Sequence, residues 1–284
     1  MITGGNSGIG FEVARMLARS GAKVTLAVRD EAKGERAAAE IPGAQVRVLD
    51  LASLDSVRAF AADTTEPFDV LVNNAGVMAL PFSRTAEGFE MHFGVNHLGP
   101  FALTNLLLPK IGDRVVTVSS GAHRMGRIDL TDLNWKRRRY RRYRRWDAYG
   151  QSKLANLLFT LELERRLTAA GFPVRALAAH PGYSATNLQF HYGNPVADRL
   201  MGLGNRLFAQ TAEMGALPTA YAATQDLPGG SYVGPNGRSE TRGHPTLVGR
   251  SAEASDVAMA ERLWEESEKL TGVRFPDSLI PPPS

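Results

Sequence analysis

TGGNSGIG, residues 3–10, is followed by Phe11, Val13, Met16 and Leu17 at helical spacing. Glycines at 4, 8 and 10 permit a tight turn, close backbone approach to a pyrophosphate and close packing of the next helix. The amides and dipole at that helix's start favour phosphate charge. The spacing is TGxxxGxG rather than GxGxxG, and alone such a loop is more often a plain turn. The downstream segments of the chain decide between the two. KVTLAV (23–28), QVRVL (45–49), DVLVN (69–73), RVVTVS (114–119) and VRALAA (174–179) read as buried strands. Helical patterns lie between them at 12–20, 31–40, 54–63, 88–108 and 149–170, with Gly21 placed to end the first. This alternation predicts an α/β fold, a doubly wound parallel sheet with helices on both faces.

The start conflicts with that pattern. A central first strand of about five residues normally precedes the glycine loop, whereas only Met1 and Ile2 precede Thr3. The first strand therefore reads as truncated, or its start as misassigned. Otherwise the flanking strands lose interior ladder partners, at about 1–3 kcal/mol for each unsatisfied group.

The 284 residues suit a single domain of this kind spanning 1–284, with a substantial core and no linker or repeat. With no cysteine there is no disulfide, thiolate metal site or cysteine nucleophile, which suits a reducing cytoplasm. The six histidines show no ligand spacing, so no metal is expected. No apolar run approaches the roughly 20 residues of a membrane span, and the N-terminus lacks a signal-peptide pattern. The expectation is a soluble cytoplasmic protein.

The net charge of +4 has one source. Eight of the ten residues of KRRRYRRYRR, 136–145, are basic, and the rest of the chain carries 25 basic against 29 acidic residues. Arginines interleaved with aromatics can bind single-stranded nucleic acid or anionic headgroups. A solvated loop is the plainer reading, and with no recognised reading module nucleic acid ranks low as a partner.

Tyr149 and Lys153, in YGQSK, lie four apart and so share a helix face. A fixed ammonium beside a phenol stabilises phenolate and draws its pKa of roughly 10 towards neutrality, making it a usable proton donor.

The glycine loop, Asp50-Leu51, Asn73-Asn74-Ala75-Gly76, Asn96-His97-Leu98-Gly99, Ser119-Ser120, Tyr149/Lys153 and His180-Pro181-Gly182 occur in an order that resembles the short-chain dehydrogenase/reductase family over nearly the whole chain. VNHLGPF, VVTVSSGAHR and YGQSKLANLLFT are similar to its retinol-dehydrogenase-like branch. The resemblance implies a Rossmann-like sheet and an oxidoreductase moving a hydride between nicotinamide and a carbonyl or alcohol. It implies that Gly4, Asn6, Ser7, Gly8, Ile9 and Gly10 carry the dinucleotide phosphates. Asp50 would accept from the adenine amino group, Leu51 would present its amide, and Asn74, Ala75 and Gly76 would approach the adenine-side ribose. At the end of the second strand, where an acidic residue would bind ribose hydroxyls, stands Arg29, beside Asp30. The resemblance gives Arg29 a 2′-phosphate, so NADP is expected, with NAD as the alternative.

The same resemblance makes Tyr149 the acid, with Ser120 orienting the carbonyl oxygen and Asn96 helping hold a water that links Lys153 to solvent. Lys153 would bond the nicotinamide ribose, which Tyr149 also borders, and Pro181, Gly182 and Thr186 would meet the nicotinamide. Strand alternation leaves only one of Ser119 and Ser120 facing the site. The substrate-covering segment, about 186–215, holds Leu188, Phe190, Tyr192, Leu200, Met201, Leu203, Leu207 and Phe208, which suits an apolar small molecule. A catalytically silent dinucleotide-binding protein is the competing function. Dimers or tetramers are the family expectation for assembly.

Overall fold

Short apolar strands alternating with helices can bury both sheet faces only if the helices divide between them. The computed structural model, which describes residues 1–136, 143–183 and 210–279, has that arrangement. Its eight strands are β1 (Ile2–Thr3), β2 (Thr25–Val28), β3 (Gln45–Val48), β4 (Phe68–Asn73), β5 (Ile111–Val118), β6 (Arg175–Ala179), β7 (Tyr232–Pro235) and β8 (Pro245–Leu247). They run in the order β3-β2-β1-β4-β5-β6-β7-β8. All pairs are parallel except β7 with β8.

Successive strand residues serve opposite cores. Leu26, Val28, Val72, Val116 and Leu177 point to one face, where helices α1 (Gly8–Arg19), α2 (Glu31–Ala38) and α7 (Ala212–Thr224) pack. Ala27, Leu71, Val115 and Ala176 point to the other, under α3 (Leu54–Ala62), α5 (Gly99–Leu107), α6 (Arg145–Ala169) and α8 (Val257–Thr271). Between these two layers the strand order reverses at β1, whose neighbours are β2 and β4. Open sheets bind ligands outside the carboxyl ends of strands at such a switch point.

The first strand has two residues and still pairs on both sides, Ile2 with Leu26 and Val72, Thr3 with Ala27. Beside β1 the Met1 amino group donates to the Val70 carbonyl of β4 at 2.8 Å. Its burial lowers the amine pKa to about 6.

Two expected helices have different limits. The segment read as one helix over 88–108 is a short α4 (Met91–Phe93), a π turn (Gly94–Leu98), then α5 and a 3-10 turn (Leu108–Lys110). At two glycines of this segment other chain segments come close: a Cβ would meet the Thr85 side chain at Gly94 and the Leu51 carbonyl at Gly99. Helix α6 starts at Arg145, so the last residue of the basic insert is helical. Insert residues 137–142 lie outside the described residues, as do the substrate-covering residues 186–209, among them Thr186 and the apolar residues from Leu188 to Phe208. No helix among the described residues is long and apolar enough to cross a membrane.

Candidate active site

The carboxyl ends of β1, β2, β4, β5 and β6 border a cleft of about 980 Å³. Gly4, Asn6, Ser7, Gly8, Ile9 and Gly10 form one wall. Asp30, Ser53, Thr211 and Asp256 cap the starts of α2, α3, α7 and α8 with their side chains. At α1 the N-cap Ser7 makes no such bond and the first turn holds no acid. Its amides therefore face the cleft uncapped, as an anion requires. Gly4 takes φ +66°, and a Cβ there would stand 3.0 Å from Ala75. A Cβ on Gly10 would meet the Gly4 carbonyl at 2.5 Å and the Asn74 amide. The loop thus fits the backbone approach a pyrophosphate needs.

Thr3 ties this loop to the next strand end, a role the sequence reading missed. Its hydroxyl accepts from the amides of Asn74 and Ala75, each at 3.0 Å. The Asn74 amide group donates to the Thr3 carbonyl at 2.9 Å. Arg29, Asp50, Leu51, Asn74, Ala75 and Gly76 all border the cleft. The Asp50 carboxylate accepts from the Ala52 amide at 2.9 Å.

At the other end of the cleft stand Ser120, Tyr149 and Lys153. Ser120 leaves β5 and caps a 3-10 turn (Gly121–Met125), its hydroxyl accepting from Ala122 N–H at 3.2 Å. That turn lies against α6 at Gly150, where a Cβ would be 3.0 Å from the Ala122 carbonyl. Tyr149 precedes Gly150 on α6 and borders the cleft together with Ser120. Ser119 also borders the cleft, and its hydroxyl donates to the Lys153 carbonyl at 2.8 Å.

The electrostatics differ from the simplest reading of the pair. Burial is the largest influence on Tyr149 and raises its pKa, opposed by the nearby Ser120 hydroxyl. Lys153 is lowered by burial to about 8. Its Nζ lies 5.8 Å from the Tyr149 ring centre and donates to the Val118 carbonyl at 3.0 Å. Lys153 is thus not what governs Tyr149 in this state, because the ammonium is turned to a backbone acceptor.

Asn96 sits in the π turn, buried behind Gly76 rather than on the cleft wall. Its side chain is committed: Oδ1 accepts from Val77 N–H at 2.7 Å, and Nδ2 donates to the Val77 carbonyl and to Ser152 Oγ, each at 2.9 Å. A Cβ on Gly76 would be 3.1 Å from Asn96 Oδ1 and 3.6 Å from Lys153 Nζ. Gly76 is therefore what lets the two sit side by side.

Pro181 and Gly182 border the same end. Gly182 has φ +66°, and a Cβ there would lie 2.5 Å from the Thr241 carbonyl. His180 Nδ1 accepts from the Gly182 amide at 3.2 Å, while Nε2 meets the Glu240 carboxylate at 3.1 Å. Burial, then the positive charge around it, lowers His180 to about 4. Ser239 and Glu240, both with positive φ, bring a third chain segment to the cleft. Neither carries a sequence signal, since serine and glutamate in that conformation have no characteristic pattern. The described residues hold no group of acids, histidines or cysteines able to bind a metal.

The short chain dehydrogenase family model matches residues 1–131. Human retinol dehydrogenase 13 is 43% identical over 296 aligned residues, covering 97% of this chain and 85% of that one. Mouse polyprenol dehydrogenase is 40% identical, covering 98% and 85%. The crystal structure of an uncharacterized protein from Mycobacterium Paratuberculosis superposes with a TM-score of 0.84 at 57% identity, covering 97% of this chain and 93% of that one. The chain belongs to the short-chain dehydrogenase family, in its retinol-dehydrogenase-like branch, and is an oxidoreductase working between a nicotinamide dinucleotide and an alcohol or carbonyl compound.

Proposed function

We propose that the protein interconverts an apolar carbonyl compound and its alcohol, with NADP as the preferred dinucleotide. The observation that carries the chemistry is Tyr149, buried at one end of the dinucleotide cleft that Ser120 also borders, with Lys153 one helical turn on. When bound, nicotinamide supplies or accepts the hydride at the substrate carbon. Tyr149, held protonated by burial, donates its phenolic proton to the carbonyl oxygen, which becomes the alcohol hydroxyl. Ser120 donates a hydrogen bond to that oxygen and fixes it against Tyr149. The Lys153 ammonium stabilises the phenolate left behind. Oxidation of an alcohol uses the same groups, with the Tyr149 phenolate as base.

The NADP preference rests on how Asp30 and Arg29 are used. Asp30 accepts from Lys33 N–H at 3.0 Å as the α2 cap and pairs with the Lys33 ammonium at 3.0 Å. That engagement lowers its pKa, through the backbone bond first. A carboxylate so occupied is a poor acceptor for ribose hydroxyls. Arg29 is exposed on the cleft and makes no ion pair among the described residues, which suits a 2′-phosphate. Met78, Leu80, Met91, Met125 and Trp146 border the substrate end and support an apolar substrate. So do the names of the relatives, retinol and polyprenol dehydrogenases.

The test is titration with NADPH and NADH, followed by turnover of retinal and decanal. NADPH is expected to bind the tighter, and Arg29→Ala to weaken NADPH about tenfold with NADH little changed. Tyr149→Phe should bind NADPH normally and lose turnover by at least about a hundredfold. A Tyr149→Phe protein that still turns over would move the acid elsewhere.

A further inference from the structure

Glu90 is fully buried beside the substrate end of the cleft, outside the groups assigned above. It caps α4, accepting from His92 N–H at 3.0 Å and Phe93 N–H at 2.8 Å. Its Oε1 also meets His92 Nδ1 and the Tyr143 hydroxyl, each at 2.7 Å. The Leu80 amide donates to His92 Nε2 at 3.1 Å. An amide N–H can only donate, so Nε2 is the accepting nitrogen and Nδ1 carries the proton given to Glu90. A chain of hydrogen bonds therefore runs from Tyr143 through Glu90 and His92 to the backbone at Leu80.

That backbone is strained where it meets the cleft. Ala79 has φ +51°, a conformation that costs any residue with a Cβ. On one side of it Asn96 holds both backbone groups of Val77, and on the other His92 holds Leu80. Strain of this kind persists only where the surroundings over-determine it. Met78 and Leu80, flanking Ala79, border the cleft. Tyr143 sits at the far end of the clamp with its ring edge-on to Phe82 at 5.1 Å and to Trp135 at 5.3 Å. Trp135 is itself at φ +54°. Tyr143 also lies two residues before α6, the helix that carries Tyr149.

We propose that Glu90, His92 and Tyr143 are positioning residues that hold the wall formed by residues 78–80 over the substrate end of the cleft and so set the KM for the carbonyl substrate. The assignment rests on the carbonyl-reducing function proposed above. It also gives the basic insert a job: its C-terminal end, at Tyr143, is the outer anchor of that wall.

Tyr143→Phe removes the hydroxyl and keeps the ring between Phe82 and Trp135. With decanal and saturating NADPH, KM should rise about fivefold, the scale of one lost hydrogen bond. The kcat should stay within about twofold, and the Kd for NADPH should be unchanged. Adding Ala79→Gly should return KM towards the wild-type value, because glycine holds the positive φ without strain and removes the drive to relax. Native-state hydrogen exchange supplies a second reading, with the Leu80 amide protected in the wild type and faster in Tyr143→Phe. A Tyr143→Phe protein with wild-type KM overturns the proposal. So does a KM rise that Ala79→Gly leaves untouched, or a wild-type Leu80 amide that exchanges freely. If Tyr143→Phe does not fold, the wild-type exchange of Leu80 decides. If the wild type turns over neither decanal nor retinal, the catalytic reading falls, and the exchange of Leu80 in the two proteins decides the clamp separately.

Discussion

Burial places the ammonium of Lys153 and the phenol of Tyr149 on opposite sides of their ordinary values, the first lowered to about 8, the second raised. Carbonyl reduction needs both protonated, Tyr149 to give its proton and Lys153 to stabilise the phenolate that remains. The group that titrates first as pH rises is Lys153. The kcat/KM for decanal reduction should therefore be level near pH 7 and fall as pH passes about 8, and Lys153→Met should lose that limb along with most of its rate. A profile between pH 6 and 10 checks this, and a limb near 10 would mean that the free enzyme does not hold Lys153 as buried as the structure has it. The spacing of Tyr149 and Lys153 was legible because four residues make one helical turn. The direction of the ammonium was not, since Val118 lies 35 residues away at the end of β5 and no local pattern points to its carbonyl. Asn96 shows the same limit: its position was legible, whereas its commitment to Val77 depends on how two distant segments pack.

Elements meet at this site through residues that lack a side chain. Gly10, in the first turn of α1, packs against the Asn74 side chain, which is held by the carbonyls of Thr3 and Gly4 and has little room to yield. Gly10→Ala should accordingly displace the loop, at about 1–3 kcal/mol. The Kd for NADPH should rise by an order of magnitude or more, and the melting temperature should fall. Gly249→Ala, with nothing within 4 Å of the added Cβ, serves as the control and should change neither. Fluorescence titration and thermal unfolding of the two variants separate the outcomes, and an unaffected Gly10→Ala would mean that the loop is loose. The glycine loop was readable because turn and helix start follow one another in the chain. The π turn was not, since the segments that pack closely on it at Gly94 and Gly99 are distant in sequence, Thr85 and Leu51 among them. A run of apolar residues over 88–108 looks the same whether its ladder is regular or broken.

Across the whole molecule the π turn is also where the site meets the C-terminal helix. His97, one residue after Asn96, is buried in a ring of aromatics, 5.0 Å from Phe93 and 6.2 Å from both Phe101 and Phe159, centre to centre. Its Nε2 lies 2.9 Å from Ser267 Oγ on α8, and that hydroxyl donates to the Leu263 carbonyl, so Nε2 gives the proton. Burial lowers the His97 pKa from 6.5 to about 3, and His180 moves the same way, to about 4. Both rings are therefore neutral in the folded protein over a range where the unfolded chain binds protons. Stability attributable to them is complete above about pH 6.5 and is lost as pH falls from there towards 3 to 4. Between pH 6.5 and 5 each contributes about 1.5 kcal/mol to that loss. His97→Phe keeps a ring in the aromatic cluster and leaves the Ser267 hydroxyl bonded to Leu263, so the variant should fold. Urea unfolding at pH 7.5, 6.5, 5.5 and 5 should show its acid slope shallower than the wild type by one proton. Equal slopes would mean that His97 is reached by water before the molecule unfolds, which would also uncouple α8 from the helix that carries Asn96.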